Sequence, residues 1–264
     1  MSAPRRNRIL DVTAKRQAAL FVAIGLLAAG VGVTSALASG WGRDALREVV
    51  SACIVAKSTL SVSFPCTDVQ LGKPGTDGYA LIRSPGFASE FLVTPLAPLD
   101  GIGSPELQTD AATRLWAAAW DARSDVAAAL SKPLGRTQVG LAVNGAGTRT
   151  QDHFHIHIDC VRQTVRKALD ARAAKITNQW TKFPSRIVGD SYWVRAIPGS
   201  DLDNVNVARL VADSPQADGP MPLDGATVAV IGSTLADGSD GFYVLANWSN
   251  ASAEHVLDHQ CRGV

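Results

Sequence analysis

The sequence predicts an α+β fold, an antiparallel sheet with packed helices, preceded by one N-terminal transmembrane helix. Three observations carry that expectation. Residues 17–42, "QAALFVAIGLLAAGVGVTSALASGWG", hold no charged residue, and the run exceeds the about 20 apolar residues that cross a bilayer. Beyond it, short runs of period-two apolar alternation recur and can pair with their sequence neighbours. Helical patterns fall between these runs without the regular strand–helix alternation of a parallel sheet.

Residues 1–16 form a basic tail, with Arg5, Arg6, Arg8, Lys15 and Arg16 against Asp11, whereas the flank after the apolar run, "RDALREVV", is balanced. By the positive-inside rule the tail stays in the cytoplasm. Residues 43–264 then form one extracytoplasmic (periplasmic-side) domain tethered to the inner (plasma) membrane. A cleaved signal peptide is the alternative, because Ala36-Leu37-Ala38 resembles an A-x-A site; the length of the apolar stretch favours the anchor. Cys53, Cys66, Cys160 and Cys261 all follow the segment, and an even set beyond a membrane reads as two disulfides. Of the pairings that four cysteines allow, Cys53 with Cys66 closes a short loop, and Cys160 with Cys261 ties the carboxyl terminus beside the strand containing Cys160.

In chain order, residues 44–56 read as a helix with Leu46, Val49, Val50 and Cys53 at helical spacing. "YALIRS" and "EFLVTP" read as a hairpin around Gly86. Residues 104–135 are helical, with Ser104 as N-cap, Pro105 in the first turn, a break near Thr109 and Gly135 past the end. Trp116, Trp120 and Leu130 are expected to pack on the sheet, base stacking by a tryptophan being the minority reading. "TQVGLAVN" and "DHFHIHIDC" form a second antiparallel pair across "GAGTR". An amphipathic helix spans residues 163–180. "SYWVRAI", "TVAVIGS" and "FYVLANWS" are strands, the last two joined by "TLADGSDG", and Ser252 caps a short terminal helix.

The formal net charge of +1 points to no polyanion, so no nucleic-acid partner is expected. No P-loop, G-x-G-x-x-G, H-E-x-x-H or G-x-S-x-G occurs. The chemistry therefore rests on His153, His155 and His157 in "QDHFHIHIDC". In one extended strand these rings share a face, about 6.7 Å apart, with Phe154, Ile156 and Ile158 seating the other face on the core. Such a row can bind zinc, joined by His255 and His259 one helical turn apart, but the region lacks an evident carboxylate cluster for a hydrolytic two-metal site. Three purely structural histidines would each need a buried partner. The third reading is nucleophilic catalysis at phosphorus: neutral imidazole attacks, and its neighbours assist with hydrogen bonds and proton transfer.

"HFHIHID" resembles the His-φ-His-φ-His-φ-φ pattern of the histidine triad superfamily. With the upstream anchor, "LAVNGAGTRTQDHFHIHIDC", "ASAE" and "DHQC", the chain is similar to the bacterial CDP-diacylglycerol pyrophosphatase family, with matching features from Cys53 to Cys261. The resemblance implies a histidine-triad-like fold and hydrolysis of CDP-diacylglycerol to CMP and phosphatidate, with no metal or other cofactor. It makes His155 the nucleophile that carries the cytidylyl group, assisted by His153 and His157. Asn144 becomes a phosphate or ribose contact and Gln151 a phosphoryl donor. Thr148, Arg149 and Thr150 could add donors or charge, unless Arg149 is a solvated turn residue. The liponucleotide and the membrane are the implied partners. The competing functions are a metal-dependent phosphoesterase built on the HxHxH strand and a non-catalytic, membrane-anchored protein that binds nucleotide or lipid headgroups.

Overall fold

The computed structural model describes residues 42–72, 78–214 and 222–264. The basic tail and the expected apolar span lie outside the described residues, save Gly42. Among the described residues no helix is long and apolar enough to cross a membrane.

The fold is α+β. One nine-stranded sheet contains β1 (Asp68–Gln70), β2 (Tyr79–Arg83), β3 (Phe91–Pro95), β4 (Val139–Val143), β5 (Ile156–Cys160), β6 (Thr181–Lys182), β7 (Trp193–Pro198), β8 (Thr227–Thr234) and β9 (Asp240–Asn247). Its order is β1-β2-β3-β5-β4-β8-β9-β7-β6, and every neighbouring pair is antiparallel. The α-helices of the described residues are α1 (Ala45–Leu60), α2 (Thr113–Asp121), α3 (Arg123–Leu130), α4 (Gln163–Asp170) and α5 (Val207–Ala212).

Alternation puts Leu141, Val143, Ile156, Ile158, Val228, Val230, Phe242 and Val244 on one face, packed with Trp116 and Trp120. Both tryptophans are buried, with 1% exposure each, and the Trp120 ring meets Phe242 edge-on at 4.8 Å. Burial settles their role as core and removes the base-stacking reading. Leu130 is partly buried against the same core. On the opposite face Val165 and Leu169 of α4 and Val256 and Leu257 of the tail cover Ala142, Ala229, Ile231 and Tyr243. Beside them α1 lays Leu46, Val49, Val50 and Cys53 over Val69, Ala80, Ile82 and Leu92.

Several boundaries differ from expectation. The helical stretch expected over 104–135 breaks at Thr109 as anticipated, with 3-10 turns at Pro105–Gln108 and Asp110–Ala112 before α2, but its last helix ends at Leu130, short of Gly135. Ser104 makes no side-chain cap. The helix expected to reach residue 180 ends at Asp170. Beyond it Ile176 is buried, the Thr177 carbonyl accepts from the Ala196 amide at 2.7 Å, and the Trp180 indole donates to the Leu210 carbonyl. These tertiary contacts draw the segment along β7 and override a helical pattern. The short strands β1 and β6 carry too few residues to show a period.

The strand expected over 152–160 starts only at Ile156. Before it the Phe154 amide donates to the Leu99 carbonyl and the Asp152 amide to that of Arg43, while Thr94 Oγ1 donates to the Phe154 carbonyl. Pro95 at the end of β3 has no N–H with which to prolong the ladder. The three histidines therefore do not form one evenly spaced row.

Both expected disulfides are present, Cys53–Cys66 and Cys160–Cys261. They close loops of 13 and 101 residues, worth about 3 and about 4.7 kcal/mol in the chain-entropy account. Removing Cys160–Cys261 by a paired Cys→Ser change should lower the free energy of unfolding more than removing Cys53–Cys66; guanidinium titration checks the order. Gly232 offers a second test, because a Cβ there would sit 2.3 Å from the Arg136 carbonyl oxygen and 2.4 Å from the Trp120 ring. Gly232→Ala should cost about 1–3 kcal/mol, read as a lower denaturation midpoint.

Candidate active site

β5 lies between β3 and β4, with His157 opposite Leu92 on one side and Ala142 on the other. Period two places Asp159 on the same face as His157, and His155 precedes the strand on that side. The face is covered by α1, the β2–β3 turn and the C-terminal tail. Between them lies a cleft of about 300 Å³. His155, His157, Glu90, Glu254, Gln151 and Thr150 form its polar end, and Leu46, Val49, Ile82, Leu92 and Phe87 its apolar wall. Among the described residues no lysine or arginine lines it.

His155 is 7% exposed. Its Nδ1 lies 2.7 Å from the His153 carbonyl oxygen, which only accepts, so Nδ1 carries the proton and donates. Burial, helped by the neighbouring His157 charge, pushes the imidazole pKa down to about 3. The ring is therefore neutral, with the lone pair on Nε2. The His155 and His157 rings stand 4.8 Å apart, inclined by 66°.

His157 donates from Nδ1 to Glu90 Oε1 at 2.9 Å, and its Nε2 points toward Glu254 Oε1 at 3.5 Å. Glu90 is 1% exposed. Burial alone would raise its pKa, but the His157 hydrogen bond and charge, with the charge of His259, hold it below the ordinary carboxylate value. His259 arrives from the tail and donates from Nδ1 to Asp159 Oδ2 at 2.9 Å. Its Nε2 faces Glu254 Oε2 at 3.7 Å, and its ring lies 4.5 Å from that of Phe87. Burial works against its charge, yet the Asp159 hydrogen bond and the charges of Glu90, Asp159 and Glu254 raise its pKa above the ordinary histidine value.

The other expected site residues divide. His153 is buried away from the cleft, its Nε2–H directed to the Pro95 carbonyl at 3.0 Å, and burial lowers its pKa; its carbonyl is what touches His155. Asn144 follows β4 but uses its amide on the tail. Nδ2 donates to Glu254 Oε1 at 2.6 Å, and Oδ1 accepts from Ser252 Oγ and the Ala253 amide. Gln151 lines the cleft and its Oε1 accepts the Leu46 amide at 2.9 Å, satisfying a free donor in the first turn of α1. Thr150 lines the cleft. The Thr148 hydroxyl makes only long contacts to the Gly145 and Ala251 carbonyls. Arg149 is neither a solvated turn residue nor a cleft residue: its side chain is 12% exposed and paired with Asp152 and Asp224.

The tail is not the helix that would set His255 and His259 one turn apart. Its 3-10 turn, Ala253–Val256, ends before His259, and His255 is exposed beside Asp190. The absence of a carboxylate cluster is likewise corrected, because folding brings Glu90 and Glu254 to His259, with ligand atoms within 4.8 Å of one another, a set able to hold a cation. Cys160 and Cys261, near Asp159, are joined in a disulfide and offer no thiolate. Glu90, Asp159 and Glu254 were not singled out from sequence. Asp159 was legible in the alternation that aligns His157, and Glu254 lies in the quoted "ASAE". Glu90 had no local signal.

The sequence matches the family described as CDP-diacylglycerol pyrophosphatase over residues 41–264. It is 33% identical over 227 residues to the CDP-diacylglycerol pyrophosphatase of Yersinia pestis, spanning 83% of this chain and 84% of that protein. A histidine-bearing cleft in an antiparallel sheet, in a chain matched over more than four-fifths of its length, places the protein in the CDP-diacylglycerol pyrophosphatase family, hydrolases that act on a diphosphate bond.

Proposed function

We propose that the chain hydrolyses CDP-diacylglycerol to CMP and phosphatidate through a cytidylyl group carried on His155, in the manner of the histidine triad superfamily. The observation that carries this reading is the state of His155: buried, neutral, its Nδ1–H on a carbonyl and its Nε2 free in the cleft. Nε2 attacks the cytidylyl phosphorus, the bond to the bridging oxygen breaks, and phosphatidate leaves as a phosphate anion. No proton has to move in this step. The ring becomes cationic as it forms the P–N bond, and the His153 carbonyl against Nδ1–H stabilises that charge. His157, backed by Glu90, hydrogen-bonds the phosphoryl oxygens. Water then releases CMP and restores the neutral ring. His153 acts through its backbone carbonyl, and Asn144 through the tail that it holds.

The proposed anchor suits this substrate. Ala45, which follows closely in sequence on the expected span, lines the cleft. A volume of about 300 Å³ is at the small end of ligand pockets, suited to the headgroup while the acyl chains stay in the bilayer. The catalytic domain then works at the extracytoplasmic surface of the plasma membrane. The rival metal-dependent reading draws on Glu90, Glu254 and His259.

His155→Ala should abolish turnover while substrate binding survives. His157→Ala should slow turnover on the order of 10²–10⁴-fold, and His153→Ala less, since its carbonyl remains. Rapid quench at alkaline pH with mass spectrometry should find CMP on His155, with or without chelator. Full activity in His155→Ala, or loss to chelator that zinc restores, transfers the assignment to the metal reading.

The buried neutral ring also fixes a pH dependence. His155 titrates near 3 when folded and near 6.5 when unfolded, so between these values only the unfolded chain binds the proton. The His155 contribution is therefore fully present above pH 6.5 and is lost as pH falls toward 3. Unfolding titrations from pH 7 to pH 4 should show that decline, and His155→Ala should show a shallower one; equal slopes would remove His155 as its source.

A further inference from the structure

The two half-reactions differ in proton demand. Attack by neutral Nε2 releases phosphatidate without a base. Hydrolysis of the adduct cannot proceed so: the water oxygen forms a bond to phosphorus, the P–Nε2 bond breaks with its electron pair returning to nitrogen, and one water proton must find an acceptor. Among the described residues, the titratable groups lining the cleft besides His155 itself are Glu90, His157 and Glu254. Glu90 is engaged by His157 Nδ1 and shut from solvent at 1% exposure. His157 Nε2 is buried with no hydrogen-bond partner and faces Glu254. Glu254 combines access with fixation. Its side chain is 29% exposed, Asn144 Nδ2 grips Oε1 at 2.6 Å, and Oε2 lies 3.7 Å from His259 Nε2. Asp159 and Glu90 face His259 from behind, so the tail histidine is a positioning residue that holds the carboxylate without entering the cleft.

We infer that Glu254 is a further catalytic residue, the general base that takes the proton of the water hydrolysing the cytidylyl-histidine. The inference rests on the covalent reading above. The proton passes from water to a Glu254 carboxylate oxygen and then to solvent, leaving CMP and neutral His155.

Glu254→Gln tests it in the full-length protein, since glutamine keeps an Oε1 to accept from Asn144 and so keeps the tail in place. In single-turnover rapid quench with CDP-diacylglycerol in mixed micelles, adduct formation should change by less than about tenfold. The His155 adduct should then decay on the order of 10²–10⁴-fold more slowly than in the unaltered protein. Fluoride, a nucleophile with no proton to lose, should release the cytidylyl group at equal rates from both. Unchanged decay of a visible adduct would overturn the role of Glu254 alone, as would equal slowing of formation and decay, which marks a structural effect. Active protein with no adduct on His155, in either form, removes the covalent reading and this inference with it.

Discussion

The site depends on one constraint, that carboxylates and imidazoles buried together must satisfy one another. Glu90 and Asp159 are 1% and 0% exposed, and an unpartnered charge at such positions is strongly unfavourable. His157 and His259 meet them at 2.9 Å each. Breaking such a pair from one side costs about 3–5 kcal/mol, because the remaining charge stays buried. The same pairing fixes the rings, so orientation for chemistry and tolerance of burial have a single cause.

The tail is part of this arrangement rather than an appendage. Its course is pinned by the Val161–Leu257 bridge, by the Asp258 amide donating to the Cys160 carbonyl and by the Cys160–Cys261 disulfide. A Cβ at Gly140 would lie 2.8 Å from Val161 and 3.3 Å from Leu257, so the missing side chain lets the tail settle against β4. Asn144 then holds Glu254, and Asp159 holds His259. Elements far apart in sequence thereby supply opposite walls of one cleft.

The cations around the cleft are spent on structure. Arg43 pairs with Asp152, Arg47 with Asp100, and Arg149 with Asp152 and Asp224. Among the described residues the cleft offers a diphosphate histidine rings but no lysine or arginine. Behind Glu254, the carboxylates of Asp159, Glu90 and Glu254 outweigh burial and raise the pKa of His259. Buried His155 is held neutral and retains its lone pair, so histidines from separate segments of one site are pushed in opposite directions by burial and partner.

Local pattern was enough for much of this protein. Alternation placed Phe154, Ile156 and Ile158 toward the core and His157 on the other face, and helical spacing marked the four residues that α1 buries. Cysteine count and order led to the two disulfides. These features depend on neighbours along the chain, whose geometry a periodic sequence encodes directly. Glu90, Asp159, Glu254 and His259 became a site only when β3, β5 and the tail came together, and Asn144 and Arg149 turned inward to structural partners for the same reason. Tertiary contacts also ended the helix at Asp170 and delayed β5 to Ile156. Sequence by itself determined which residues carry period, apolarity and reactive chemistry; only the tertiary structure decided which charges share a buried space, because that depends on distances between elements that no local pattern contains.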